Sequence, residues 1–362
     1  MQEKLTKTLS ELVDIRSVSH DQEAVKKLLI YCKERLDSTG VFKVSKIIEN
    51  KGVYSLYVST TRAQKPKLLL QAHVDTVPST DTGHKLLVQK DRLVGRGVFD
   101  MLFATAAYLN LIEELSQSLT DKSFAILLSG DEELGGFNGV GNFVGFGYRP
   151  SVVFLPDAGH GIGELNIGSK GVYGFNLTIN GLAHHGSRPW EGDGAGNKLT
   201  KILHEILSLT SNTKSSAFTV VVTKLAAGDA INKGPATASA HLDVRYKNGE
   251  ALASFKSKLA KILSEHSSEI SDLNEAPAFN LDMKSDAAKK FMEVYRKFTP
   301  NEISLTKADG SSDARFFAEF NIPVIMLRPA GGGAHSDEEW LDTKEFLRFY
   351  ELLKEYVLSA AL

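Results

Sequence analysis

Apolar residues recur with helical spacing in two early segments of the chain. Leu5, Leu9, Leu12 and Val13 fall at positions i, i+4, i+7 and i+8, which lie on one face of a helix. The stretch 21–38 shows the same spacing over a longer segment. The pattern therefore predicts two amphipathic helices, each with one buried side.

Short runs of β-type residues follow, and most of them contain an unbroken block of apolar residues. They lie at 53–58, 67–74, 124–130 and 151–155. The last three runs are continuous, as strands buried on both faces are. Helical patterns at 101–117 and 137–146 separate them. This alternation predicts an α/β fold, with a mixed, mostly parallel sheet flanked by helices.

The character of the chain changes near Gly171. The next segments alternate polar and apolar residues as strands or follow helical spacing, in the order 172–181, 195–210, 217–226, 236–246 and 249–268. This β-α-β-β-α order is typical of a small α+β sandwich with an antiparallel sheet. After about 283 the α/β pattern returns. We therefore expect a discontinuous larger domain at 1–171 and 284–362, interrupted by an inserted domain at 172–283.

Composition and charge exclude several classes of protein. Lys and Arg total 42 against 44 for Asp and Glu, so no basic excess favours a nucleic-acid partner. The single cysteine, Cys32, excludes an intrachain disulfide and a cysteine-based zinc site. No apolar run approaches the roughly 20 residues that cross a bilayer, and charges interrupt the N-terminal segment where a signal peptide would be apolar. We expect a cytoplasmic protein with no membrane partner.

Acidic and histidine side chains follow several of the predicted strands. They are His73 and Asp75, Asp100, Glu132 and Glu133, Asp157, and His335. Each has an ordinary explanation when taken alone, such as a turn or a helix cap. Because ligand sites of open α/β sheets form outside the carboxyl ends of the strands, we expect these residues to meet in one crevice. Carboxylates and imidazoles without thiolates suit Zn²⁺, Mn²⁺ or Co²⁺.

Five motifs in order carry a resemblance to a known family. They are AHVDT, GRGVFDM, GDEELGG, PDAGHGIGELN and GGGAHSDEE. With LVDIRSVS and AHSDEEWLD at the two limits, the chain resembles the zinc metallopeptidases that include acetylornithine deacetylase, succinyl-diaminopimelate desuccinylase, aminoacylase, glutamate carboxypeptidase and tripeptidase. The resemblance implies a catalytic domain with two divalent ions, Zn²⁺ in the first place. It also implies an inserted lid or dimerisation domain, and hence a homodimer.

The resemblance also assigns roles to the acidic and histidine residues. Those implied as metal ligands are His73 and Asp157 for the first ion, Glu133 and His335 for the second, and Asp100 for both. Glu132 is similar to the family's general base. Asp75 is expected to hold the ring of His73 in place, a role that a carboxylate usually has beside a ligating histidine.

The predicted insert contributes three further residues through the same resemblance. His185 in GLAHHGSRP matches the histidine that reaches the substrate carbonyl from the partner subunit, and the adjacent His184 has no such role. Asn232 and Arg245 match residues that approach the substrate, with Arg245 as a clamp for its carboxylate. The chain departs from the family at Leu102–Phe103, where relatives usually have Lys-Gly.

These residues predict a hydrolase that cleaves the amide bond of a small N-acyl amino acid, as a deacetylase or desuccinylase does. The expected step is attack by a hydroxide that bridges the two ions, with Glu132 as general base. A carboxypeptidase, dipeptidase or tripeptidase with the same mechanism is an alternative. A non-catalytic protein that binds an amino-acid ligand is an alternative of another class. A dinucleotide-binding dehydrogenase is rejected, because GRGVFD lacks the third glycine of that fingerprint.

Overall fold

Two of the continuous apolar runs, Leu68–His73 and Phe124–Ser129, form adjacent parallel strands at the centre of a six-stranded sheet. The computed structural model describes residues 1–80 and 83–361 of the protein. The chain divides into a larger unit, Met1–Gly168, Asn280–Ala308 and Ser312–Leu362, and a smaller unit, Ser169–Phe279 and Asp309–Ser311. The roles expected for the two, catalysis and lid or dimerisation, stay predictions.

Helices and strands alternate along most of the described chain. The helices are α1 (Gln2–Asp14), α2 (Gln22–Ser38), α3 (Leu102–Leu119), α4 (Val140–Gly145), α5 (Ala195–Leu207), α6 (Gly249–Leu263), α7 (Asp286–Phe298), α8 (Ala314–Ala318) and α9 (Thr343–Ala360). The strands are β1 (Val44–Asn50), β2 (Val53–Ser59), β3 (Leu68–His73), β4 (Leu87–Gln89), β5 (Arg92–Val94), β6 (Phe124–Ser129), β7 (Val152–Phe154), β8 (Glu164–Ser169), β9 (Gly171–Asn180), β10 (His184–His185), β11 (Phe218–Ala227), β12 (Lys233–Gly234), β13 (Thr237–Tyr246), β14 (Ser268–Ala276), β15 (Phe279–Asn280), β16 (Ser304–Ala308), β17 (Val324–Ile325), β18 (Gly331–Gly332) and β19 (Trp340–Asp342).

The six-stranded sheet of the larger unit has the order β1-β2-β6-β3-β7-β17. The four strands β6, β3, β7 and β17 run parallel to one another, whereas β1 and β2 are antiparallel to their neighbours. Every residue of β3 and β6 is buried. The predicted α/β class with a mixed, mostly parallel sheet is therefore confirmed. The parallel strands also end at one edge, and this positions the loops that follow them.

Some of the helices begin where the sequence supplies a side-chain cap. The side chain of Asp21 accepts a hydrogen bond from the backbone N–H of Ala24 at 3.0 Å, and α2 starts at the next residue. Asp342 caps α9 in the same way. Helix α3 is buried along most of its length, since its apolar residues cover more than one face. Among the described residues, no helix combines the length and apolarity needed to span a bilayer.

The smaller unit contains a four-stranded antiparallel sheet in the order β11-β13-β9-β14. Buried residues of α5 and α6 pack with the sheet in one apolar cluster that includes Phe175, Leu203 and Phe255. Every second residue of β13 is buried, because only one face of the sheet is covered.

Two edge strands have no counterpart in the pattern analysis, β1 of the larger sheet and β14 of the smaller one. Neither contains a continuous apolar run, since edge strands are partly exposed and pair on one side only.

Candidate functional site

His73 is the last residue of β3, and its ring is buried. Its Nδ1 lies 2.9 Å from the main-chain carbonyl oxygen of Asp75, while the nearest carboxylate oxygen of Asp75 is 3.6 Å away. The carbonyl therefore accepts the Nδ1–H hydrogen bond that fixes the ring. The main chain of Asp75 thus makes the closest contact with the ring, and the role expected for its carboxylate stays a prediction.

The carboxylate of Asp75 organises the loop that carries the two glutamates. It accepts hydrogen bonds from the backbone N–H groups of Glu132 at 3.1 Å and Glu133 at 3.2 Å. The hydroxyl of Ser19 donates a third bond at 2.8 Å. Asp75 is fully buried. The loop after β6 is therefore tied to the loop after β3, and both glutamates are held beside His73.

The two carboxylate oxygens of Asp100 face two histidines. Oδ1 is 3.2 Å from Nε2 of His73, and Oδ2 is 3.4 Å from Nε2 of His335. Burial acts to raise the pKa of Asp100, but hydrogen bonds from His335 and His73 hold this pKa far below its usual range. Asp100 is therefore an ionised carboxylate placed between two imidazoles.

Glu339 holds the loop that presents Asp100, although the sequence analysis assigns it no role. Its carboxylate accepts the backbone N–H groups of Gly97, Phe99 and Asp100 at 2.9–3.0 Å. Nη1 of Arg96 donates to the same carboxylate at 3.0 Å. The only feature that marks it in the sequence is its place in the AHSDEE motif, four residues after a predicted ligand.

The predicted ligands form two groups that share Asp100. One ligand atom each from His73, Asp100 and Asp157 lie within 4.8 Å of one another, and so do those from Asp100, Glu133 and His335. Nε2 of His335 is 3.0 Å from Oε1 of Glu133. Imidazole nitrogens and carboxylate oxygens in this arrangement fit a pair of divalent ions, with Asp100 between them.

The acidic groups of this cluster repel one another in the absence of a cation. Burial, and then the charge of Asp157, raise the pKa of Glu132 well above its ordinary value. Burial, and then the charge of Asp100, raise the pKa of Asp157 to about 7. The hydrogen bond with Asp100 raises the pKa of His335 to about 9. Bound cations would relieve this repulsion, which independently supports a metal centre.

A second buried acidic group lies behind the loop of the glutamates. The carboxylate of Asp313 accepts from Nε2 of Gln71 at 3.1 Å and from the hydroxyl of Ser129 at 3.3 Å. Asp131 accepts two backbone N–H groups from the turn at 138–139. Burial raises the pKa of Asp313 to about 7 and that of Asp131 to about 6. The sequence analysis assigns no function to Asp313, Gln71 or Ser129.

The departure at Leu102–Phe103 lies in the first turn of α3. Both side chains are buried. The ring of Phe103 packs edge-on against Phe346 and Phe349 of α9, with centroids 6.1 Å and 5.3 Å apart. The two residues therefore belong to the apolar core, and the position carries no charge.

In the smaller unit, His185 and Asn232 lie in neighbouring segments. The backbone carbonyl of Asn232 accepts the N–H of Gly186 at 2.8 Å. Nδ1 of His185 accepts the backbone N–H of Ser187 at 3.1 Å, so a neutral ring carries its proton on Nε2. His184 has a different setting, because its ring packs closely against Gly192 and Gly234.

Arg245 is already engaged within its own strand. Its Nε and Nη2 lie 2.7 Å and 2.9 Å from the two carboxylate oxygens of Asp243. A side-on pair of this kind occupies one edge of the guanidinium. The substrate-binding role expected for Arg245 therefore has a competing partner inside the protein.

Comparison with known proteins places the chain in an enzyme family. The family model described as peptidase family M20/M25/M40 matches residues 69–359. A succinyl-diaminopimelate desuccinylase of Pelagibacter ubique is 27% identical, with 96% of this chain and 97% of the relative covered.

Solved structures share the fold at lower identity. A tripeptidase from Staphylococcus aureus superposes with a TM-score of 0.81 at 19% identity, covering 100% of this chain and 99% of its own. An M20 family metallo-carboxypeptidase from Sulfolobus solfataricus superposes with a TM-score of 0.77 at 18% identity, covering 100% of both chains. At these identities the superpositions establish the fold alone.

Proposed function

Because the chain belongs to peptidase family M20/M25/M40, it is a metal-dependent amidohydrolase, and we propose that it cleaves the amide bond of a small N-acyl amino acid. The curated relative named above is a desuccinylase, which favours an acyl amino acid as the substrate. Exopeptidase action on a short peptide is the second candidate, favoured by the match to a peptidase family.

The position of Asp100 between His73 and His335 is the observation that carries this proposal. We propose Zn²⁺ as the ion, held by His73, Asp100 and Asp157 in one position and by Asp100, Glu133 and His335 in the other. When bound, two such metal ions polarise a carbonyl and lower the pKa of water from 15.7 to about 7.

Glu132 is the proposed general base. Its backbone is fixed by Asp75, and its side chain is half-buried beside the ligand cluster. A carboxylate in this place takes a proton from the attacking water and returns it to the departing nitrogen.

We propose that residues of the smaller unit complete the site. The Nε2–H of His185 would donate to the substrate carbonyl oxygen, as a preorganised donor does in an oxyanion hole. We propose that it acts on the partner subunit of a homodimer, with Asn232 and Arg245 contacting the substrate. The main-chain bond that fixes the His185 tautomer supports the donor role.

A substrate panel tests this function. The protein is freed of metal with a chelator and reloaded with Zn²⁺, Co²⁺ or Mn²⁺. It is then assayed with N-acetyl and N-succinyl amino acids, dipeptides and tripeptides. Hydrolysis of an acyl amino acid in preference to peptides is the expected result. A preference for peptides would favour the exopeptidase, and no turnover with any ion would favour a non-catalytic binding protein.

A further inference from the structure

Arg328, three residues beyond strand β17, is held between two segments that carry proposed metal ligands. Its Nε donates to the backbone carbonyl of Gly159 at 2.9 Å. The face of its guanidinium lies 3.8 Å from the ring centroid of Phe99. Phe99 directly precedes Asp100 in the chain, and Gly159 follows Asp157 by two residues. The guanidinium is therefore fixed beside the ligand cluster.

This guanidinium has no anionic partner among the residues that the structure describes. No carboxylate oxygen there lies within 4.0 Å of its nitrogens, and only the Nε–H is used in a hydrogen bond. The side chain is half-buried. Taking a cation partly out of water is unfavourable unless an anion compensates it. The planar fork of arginine fits a carboxylate through two parallel hydrogen bonds.

The positive charge of Arg328 also acts on two of the proposed metal ligands. Burial, and then the charge of Asp100, raise the pKa of Asp157 to about 7, and the positive charge of Arg328 opposes this rise. Arg328 also acts in this direction on Asp100. Arg245 provides a contrast, because one edge of its guanidinium is already paired with the carboxylate of Asp243. Of these two arginines, Arg328 is therefore the one whose guanidinium has no carboxylate partner among the described residues and can accept an incoming anion.

We propose that Arg328 binds a carboxylate of the substrate beside the metal centre. This inference rests on the proposed function and names the residue that would recognise a carboxylate of its substrate. The carboxylate lies outside the amide that is cleaved. It belongs either to the acyl group or to the amino acid, and matched substrates distinguish the two.

The test compares Arg328→Gln with Arg149→Gln. Arg149 is a suitable control because it is half-buried, stacks on Phe320 at 3.6 Å and donates to main-chain carbonyls, outside the ligand cluster. Each Zn²⁺-loaded protein is assayed with an N-succinyl amino acid, its succinamide analogue and its α-carboxamide analogue. Circular dichroism and Zn²⁺ titration verify that fold and metal content are retained.

For Arg328→Gln we expect kcat/KM to fall by about 10- to 100-fold on substrates that retain the recognised carboxylate. The analogue that lacks this carboxylate should be hydrolysed equally by both variants. An equal loss on all three substrates, or no loss on any, overturns the proposal. The first of these results would indicate that Arg328 only balances the acidic ligands.

A binding measurement decides the inference if the protein hydrolyses none of these substrates. Succinate is titrated calorimetrically into the Zn²⁺-loaded protein and into both variants. A Kd at least tenfold weaker in Arg328→Gln than in Arg149→Gln supports the anion site even though the proposed function has failed. Equal affinity in the three proteins, or no binding to any, overturns the inference.

Discussion

The carboxylate of Glu339 accepts the backbone N–H of Asp100 at 3.0 Å. It also pairs with Arg96 at 3.0 Å, and both side chains of this pair are buried. Glu339 follows His335 by four residues, so one segment supplies a proposed ligand and fixes the loop of the shared carboxylate. The geometry of Asp100 therefore depends on a residue outside the ligand set.

Replacing Glu339 should weaken metal binding and stability together. Glu339→Ala removes the buried partner of Arg96 and leaves it only the exposed carboxylate of Asp337, at 3.6 Å. Because loss of one member of a buried ion pair costs about 3–5 kcal/mol of unfolding free energy, we expect a loss up to that size. Glu339→Gln retains the shape, and we expect its Zn²⁺ affinity to fall by about 10- to 100-fold. Calorimetric Zn²⁺ titration and thermal unfolding measure the two effects. The exposed neighbour Glu338 provides the control Glu338→Gln. If the Glu339 variants bind Zn²⁺ and unfold as this control does, Glu339 does not hold the loop of Asp100 in place.

Asp100 and Asp157 should differ in how many ions their loss removes. Asp100 belongs to both ligand groups, whereas Asp157 belongs to one. We expect Asp157→Asn to retain one tightly bound ion per chain and Asp100→Asn to retain none. Elemental analysis after dialysis counts the ions. His335→Ala should also retain one ion, and loss of a single ion in all three variants would contradict the shared ligand.

The build of the sheet explains why predicted ligands from distant parts of the sequence lie close together. Parallel strands end at one edge, so His73 at the end of β3 and Asp157 after β7 are brought together by their positions alone. Glu339 and Asp313 act through main-chain donors and buried neighbours, and no spacing rule marks such contacts. No spacing rule marks the pairing of Arg245 with Asp243 either, although the two residues lie two positions apart on one face of β13.

Glu132 should be needed for turnover but not for metal binding. Glu132→Gln removes the proposed base while keeping the size of the side chain, and we expect kcat to fall by about 10²- to 10⁴-fold. Zn²⁺ content should be unchanged, because neither ligand group includes this residue. Glu133→Gln is the matched comparison and should lose one ion. Retention of near-normal turnover by Glu132→Gln would exclude it as the base.

Asp313 should make the stability of the metal-free protein depend on pH. Burial raises its pKa in the folded protein to about 7 from an ordinary 3.8. Between these values the folded state keeps a proton that the unfolded state loses, so the unfolding free energy falls as pH rises through this window. At pH values below or above this window, Asp313 does not contribute to the change of the unfolding free energy with pH.

Urea unfolding between pH 4 and 8, with chelator present, measures this effect. Asp313→Asn should reduce the fall in stability across the window, and the exposed control Asp14→Asn should leave it unchanged. An identical pH dependence in the two variants would contradict a raised pKa at Asp313.

His184 and His185 should respond differently to substitution, although they are adjacent. His184→Ala removes a ring that packs against two glycines, so we expect lower stability of the smaller unit. His185→Ala removes an exposed ring, and we expect its kcat to fall by about 10²- to 10³-fold with little change in Tm.

Mixed dimers then test whether His185 acts across subunits. His185→Ala chains and Glu132→Gln chains should each retain only the low activity predicted above. If the histidine acts on the partner, a mixed dimer contains one site with an intact Glu132 and an intact His185, and activity returns on mixing. If it acts within its own chain, both sites of the mixed dimer lack one group and activity stays low. The two variants carry different affinity tags, and successive purification on both tags verifies that mixed dimers have formed, so that lost activity is not mistaken for failed exchange.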